Sequence, residues 1–203
     1  MIDQRIYEMF REIGEDLYTA QMISSHGGNL SIRLGDRVII KRRGAQLGRL
    51  KPHDLIETRL DKNDSGVALA STELLVHRAI YMNTPALAVC HCHPRIAVAF
   101  SLSRDELVPV DNEGSYLLKK IPVVTEEFAS GTPQMANKVA EALKNYKVIM
   151  LRGHGSFATG QTLDEAFLWS SCLEESCQIE LATKIINEPF IEYRGMSDSY
   201  KKF

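Results

Sequence analysis

Apolar residues near the start of the chain fall three and four apart, at Ile2, Ile6, Met9, Phe10, Ile13, Leu17 and Ala20. That spacing puts them on one stripe of a helix, predicted over residues 3–23. Ser24 to Asn29 is rich in turn formers, and after it the period changes. Leu30, Ile32 and Leu34 alternate with polar residues as in a half-buried strand, and Gly35-Asp36 turns the chain into a second strand, Arg37 to Lys41. Residues 42–66 carry Gly44, Gly48, Pro52, Asp61, Asn63, Asp64 and Gly66, a loop signature interrupted by a short strand near Leu55 to Thr58. A helix opens at Ser71-Thr72-Glu73 and ends before Pro85; Ala86 to His93 reads as a strand, and Pro94 opens a helix from Arg95 to Leu102. The remaining elements are a strand at Ile121–Val124, a helix at Pro133–Lys144 capped by Thr132, and a strand at Val148–Leu151. A turn at Gly153-His154-Gly155 leads to a strand at Ser156–Thr159 and a long helix from Thr162 to Asn187, with Glu165 three residues past its cap.

The two strands between residues 30 and 41 are joined too tightly for a parallel crossover, so the sheet is at least partly antiparallel, with helices layered on it. No Gly-x-Gly-x-x-Gly lies between a strand and a helix, which departs from dinucleotide-binding architecture. The 203 residues suit a single domain, 1–203, and 44% hydrophobic with 25% charged residues is a globular balance. A chain of this size folds without a metal staple, so any bound metal serves chemistry. A net charge of −2 supplies no basic field and argues against a nucleic-acid partner. Apolar runs fall far short of the roughly 20 residues that cross a bilayer, arguing against a membrane role. The first residues lack a signal-peptide pattern, and Cys90, Cys92, Cys172 and Cys177 form no secreted disulfide framework; a cytoplasmic address is expected.

Candidate chemistry concentrates in a few places. On a strand, His91 and His93 of Cys90-His91-Cys92-His93 project from one face and the cysteines from the other, so two imidazoles can converge on one ion; the alternative is a pair of satisfied core histidines. His154 sits between two glycines that let the backbone turn tightly. Glu73 either joins these as a carboxylate ligand or simply favours the start of its helix, and His77, four residues on, is a rival ligand that lacks a glycine or strand-end setting and is read as packing. Three imidazoles and one carboxylate make a catalytic zinc sphere. Gly27-Gly28-Asn29-Leu30-Ser31, Arg42-Arg43-Gly44 and Ser71-Thr72 each expose backbone N–H groups or hydroxyls and together could surround a phosphate. Lys41, Arg42, Arg43, Arg49 and Lys51 form a basic run, read as a solvated edge unless one of them meets an anionic substrate.

With Gly28-Asn29-Leu30-Ser31, Ser71-Thr72-Glu73-Leu74, His91-Cys92-His93-Pro94 and Gly153-His154-Gly155 in order, the chain resembles the class II aldolase/adducin family over nearly its whole length. The resemblance implies a three-layer α/β/α fold with a mostly antiparallel central sheet, and a homotetramer with active sites at subunit interfaces. It implies a divalent metal, Zn2+ or another such as Mn2+ or Co2+, held by His91, His93 and His154, with Glu73 as resting ligand and proton carrier. It implies a phosphorylated ketose bound by Gly28, Asn29, Arg43, Gly44, Ser71 and Thr72 and cleaved to dihydroxyacetone phosphate and an aldehyde through a metal-stabilised enediolate, with Asn29 hydrogen-bonding the oxyanion. Two departures stand out: Arg43 replaces the family's hydroxyl before Gly44, and no tyrosine lies at residues 126–132, leaving Tyr116, Tyr193 or Tyr200 to substitute. The family also holds sugar-phosphate 4-epimerases, dehydratases, decarboxylases and the non-catalytic adducin-like modules. Glu73 rather than Asp favours aldolase over epimerase, and retention of all four ligand residues argues against the assembly module.

Overall fold

A computed structural model describes residues 2–126, 131–189 and 191–196. Helix α1 (Gln4–Thr19) starts where the Asp3 carboxylate accepts the Arg5 N–H, and buries Phe10, Ile13 and Leu17. It stops short of residue 23 because Gln21 adopts a left-handed φ of 59°, which turns Met22 and Ile23 into the core as part of a loop. Strands β1 (Asn29–Leu34) and β2 (Arg37–Lys41) form the expected hairpin, with β3 (Leu55–Arg59) beyond β2 and short 3-10 turns elsewhere in the loop region. Next come α2 (Leu74–Asn83), β4 (Ala88–Cys92) and α3 (Arg95–Ser101).

Two elements were not anticipated: β5 (Glu106–Leu107) and α4 (Asn112–Leu117). Both are too short to show a period, and α4 forms on a cap, the Asp111 carboxylate accepting from the Gly114 N–H. Strand β6 (Ile121–Val124) leads to α5 (Pro133–Ala142), whose Thr132 hydroxyl oxygen accepts from the Met135 N–H. Strands β7 (Val148–Leu151) and β8 (Gly155–Gly160) precede α6 (Leu163–Ile186). Thr162 caps α6 by accepting from the Glu165 N–H, while the Glu165 carboxylate reaches back one residue further than a capping box, to the Gln161 N–H.

The eight strands lie in the order β3-β2-β1-β4-β8-β7-β6-β5. Among the described residues every pairing is antiparallel except β6 with β7, so the sheet is mixed, with one parallel step. Strand alternation divides the core. Val38, Ile40, Val89, Ile149 and Phe157 pack under α2 and α5, and Leu30, Ile32 and Cys90 pack under α1 and the start of α6. Val148, Met150 and Ala158 meet α3 and the middle of α6 on that second face. The three-layer α/β/α expectation holds. Among the described residues no helix is long and apolar enough to cross a membrane.

Candidate metal centre and anion loops

Strand β4 directs Cys90 and Cys92 into the α1/α6 side of the core and His91 to the α2 side. His91 pairs across the sheet with Asn29 on β1 and Phe157 on β8, and its ring stacks on Phe157 at 4.1 Å between centroids. His93 lies just past the end of β4, and its Nε2 is 3.1 Å from His91 Nε2. His154 comes from the β7–β8 turn, where Gly153 holds a left-handed φ of 67°. A Cβ at Gly155 would stand 2.3 Å from the Cys92 carbonyl and 2.7 Å from the His93 ring, so only glycine lets this turn close on β4. The donor nitrogens of His91, His93 and His154 all lie within 4.8 Å of one another.

Glu73 is the N-cap residue of α2, but its carboxylate does not cap. It turns inward instead: Oε2 accepts the Asn29 side-chain N–H at 2.6 Å and lies 3.1 Å from His91 Nε2, while Oε1 is 3.9 Å from His154 Nε2. The His91 contact has ion-pair distance but is not an ion pair. Burial, followed by the neighbouring His93 and His154, drives the His91 pKa well below its ordinary value, so the ring is neutral. His91 Nδ1 faces the Ser156 carbonyl at 2.9 Å and must donate to it, which leaves a bare lone pair on Nε2. That lone pair faces a carboxylate oxygen, and Glu73 Oε1 is buried with no hydrogen-bond partner. A cation seated among these atoms would neutralise the carboxylate and take up the imidazole lone pairs together, and the nitrogen and oxygen donors suit a divalent ion such as zinc. Burial and the nearby His154 also lower the His93 pKa, favouring the neutral form that ligates.

The three segments considered for phosphate are neighbours. Gly28 and Gly44 have φ of 68° and 74°, and a Cβ at Gly28 would meet Ile23 at 2.7 Å and the His91 carbonyl at 2.8 Å. Arg42 bridges Ala70, the Arg43 N–H donates to the Leu69 carbonyl and the Ser71 N–H to the Lys41 carbonyl, so the Arg43-Gly44 turn lies beside Ser71-Thr72. Ser71 is buried and its hydroxyl accepts from the Glu73 N–H; Thr72 and Arg43 are exposed. The basic run is not wholly a solvated edge. Lys41 is only 4% exposed, and its Nζ donates to the carbonyls of His26 and Ala45, clasping the loop before Gly28 to the loop after Gly44. The signal was available: Val38-Ile39-Ile40 lacks alternation, so both faces of β2 are covered and the next side chain is covered too.

His77 is not part of the histidine cluster. It is fully buried, with Nδ1 2.6 Å from the Ser31 hydroxyl, and burial lowers its pKa to about 3. Of the substitute tyrosines, Tyr116 is half exposed on α4, Tyr193 donates to the Val110 carbonyl, and Tyr200 lies outside the described residues, as do residues 127–130 of the segment without a tyrosine.

Known proteins share this fold. An L-fuculose-1-phosphate aldolase structure from Thermus thermophilus superposes with a TM-score of 0.87 at 40% identity, covering 93% of this chain and 100% of that one. An L-fuculose phosphate aldolase from Methanocaldococcus jannaschii is 29% identical over 182 residues, 89% of this chain and 98% of the relative. A 3-oxo-tetronate 4-phosphate decarboxylase from Haemophilus influenzae is 28% identical over 186 residues, 88% of each. With residues 8–181 matching the model for the Class II Aldolase and Adducin N-terminal domain, the chain belongs to that family.

Proposed function

We propose that this protein is a metal-dependent aldolase that cleaves a phosphorylated ketose to dihydroxyacetone phosphate and an aldehyde. The observation that carries the reading is one buried carboxylate, Glu73, set against three converging imidazoles and next to two left-handed glycine turns tied together by Lys41. His91, His93, His154 and Glu73 would hold the cation, with zinc favoured by the donor types. Once bound, a divalent cation acts as a Lewis acid for negative charge developing on the substrate's carbonyl oxygen.

The chain's own residues do the rest. Asn29 spends one amide N–H on Glu73 and keeps a second for the substrate oxygen. Glu73 moves a proton at the carbon next to the carbonyl, and Asn29 fixes the carboxylate for that task. Backbone N–H groups of Gly28 and Gly44, with the hydroxyls of Ser71 and Thr72, take the phosphate, and Arg43 adds a cation at the rim. That remote anchoring holds the reacting carbons in place. The site is read as complete in a cytoplasmic homotetramer, which light scattering of the purified protein tests.

A second reading, decarboxylation or dehydration of a related sugar phosphate, is favoured by the decarboxylase relative and by Arg43, whose charge suits a substrate with a further anionic group. Phosphorylated ketoses and sugar-acid phosphates are incubated with the protein, with and without a chelator. Chelator-sensitive release of dihydroxyacetone phosphate supports the aldolase; chelator-sensitive release of carbon dioxide, or formation of a dehydrated sugar phosphate, without dihydroxyacetone phosphate replaces it with the second reading.

A further inference from the structure

Strand β1 and helix α2 are joined by more than the Asn29–Glu73 contact. One step further along both elements, the Ser31 hydroxyl lies 2.6 Å from His77 Nδ1 and 2.7 Å from the Tyr81 hydroxyl, and one step beyond that Arg33 donates to the Tyr81 carbonyl at 2.8 Å. Residues 29, 31 and 33 share one face of a strand; residues 73, 77 and 81 share one stripe along the helix and its cap. Two strand residues advance about 6.6 Å and four helical residues about 6 Å, so the two periods keep step for three rungs. Ser31, His77 and Tyr81 are all within 1% of complete burial, where hydrogen bonds are short of competition from water and broken ones are costly.

We propose that Ser31, through His77 and Tyr81, is a positioning residue that sets the rotation of α2 about its axis and so aims the Glu73 carboxylate at the imidazole cluster. Glu73 is the N-cap residue of α2 and its backbone carbonyl accepts the His77 N–H at 3.2 Å, so any rotation at His77 is passed directly to Glu73. The carboxylate needs this external hold because it makes no capping bond of its own and Oε1 has no hydrogen-bond partner. His77, on the same stripe as Glu73, turns its Nδ1 to Ser31 on the strand and is not among the donor atoms that converge. The proposal rests on the reading of Glu73 as a metal ligand.

The test is a double-mutant cycle on metal affinity, which needs no substrate. Ser31→Ala, Glu73→Gln and the double variant are titrated with Co2+ against a chromophoric chelator, and melting of the metal-free proteins checks folding. Ser31→Ala is expected to weaken Co2+ binding about 10–100-fold, the usual effect of removing a group that orients a ligand. In the Glu73→Gln background the same change should alter affinity less than about threefold, and Ser31→Thr should restore the parent value. No loss in Ser31→Ala, or equal losses in both backgrounds, overturns the proposal. Parent-like affinity in Glu73→Gln instead overturns the ligand reading beneath it. If Ser31→Ala does not fold, Tyr81→Phe removes the far hydroxyl while keeping the ring, and the same comparison between backgrounds decides.

Discussion

Lys41 offers a sharp test of how the anion loops are held. Its ammonium is buried, donates to two loop carbonyls 3.0 Å away, and has its pKa lowered from 10.5 to about 8 by that burial, with Glu73 and Asp54 pulling only partly in the opposite direction. In the unfolded chain the same group titrates at its ordinary value. Between pH 8 and 10.5 the unfolded chain therefore binds a proton that the native chain has released, so stability rises with pH across that window and the charged form costs stability below it. A shift from 10.5 to about 8 corresponds to about 3 kcal/mol at 1.36 kcal/mol per unit. The neutral amine still has two N–H groups for the two carbonyls, so the clasp survives deprotonation. Lys41→Met removes the titration but leaves the buried Ala45 carbonyl without its donor, at about 1–3 kcal/mol. At pH 7 the gain and loss roughly cancel. By pH 10 the parent should have gained about 2–3 kcal/mol that the variant cannot. Urea unfolding of chelator-treated parent and Lys41→Met at pH 7, 8, 9 and 10 measures the gap. A gap that stays constant over this range would refute a buried, charged Lys41.

Other outcomes follow from the same geometry. His93→Ala removes one of three converging nitrogens, and metal content of the purified variant should fall well below one ion per chain; unchanged affinity would show that the cluster is not the site. If Glu73 carries the proposed proton, Glu73→Gln, which keeps the side chain's shape but not its basicity, should lower turnover about 10²–10⁴-fold on any ketose phosphate the parent cleaves, and full turnover removes Glu73 from that role. Gly28→Ala forces a Cβ into the Ile23 and His91 backbone contacts at a left-handed φ, and should cost at least about 2 kcal/mol, read as a melting point lower by roughly 4–8 °C.

The regular elements were legible because each long helix or strand carries its own period: β1, β2, β7 and α6 lie close to where their apolar spacing puts them. What escaped is local or non-periodic. A two-residue strand at Glu106 has no period to read, α4 depends on the Asp111 cap, and α1 ends on the backbone conformation of Gln21 rather than on its apolar stripe. At the candidate site, His91, His93, His154 and Glu73 drew attention as residue types with ligand chemistry, and the fold brings them together. Lys41 and Ser31 were harder. One was hidden in a basic run most of whose members are exposed, and the other is an ordinary strand serine until a helix from elsewhere in the chain is laid across it.

The cross-strand contacts of His91 also bear on when the protein becomes competent. Asn29 and Phe157 flank it from opposite ends of the chain, and its Nδ1 leans on the backbone of β8. During synthesis the histidine cluster therefore cannot assemble until the last strand has left the ribosome and inserted at the middle of the sheet. Ion capture would then be a late event that draws on the finished tertiary structure, and added metal should slow unfolding far more than it speeds refolding.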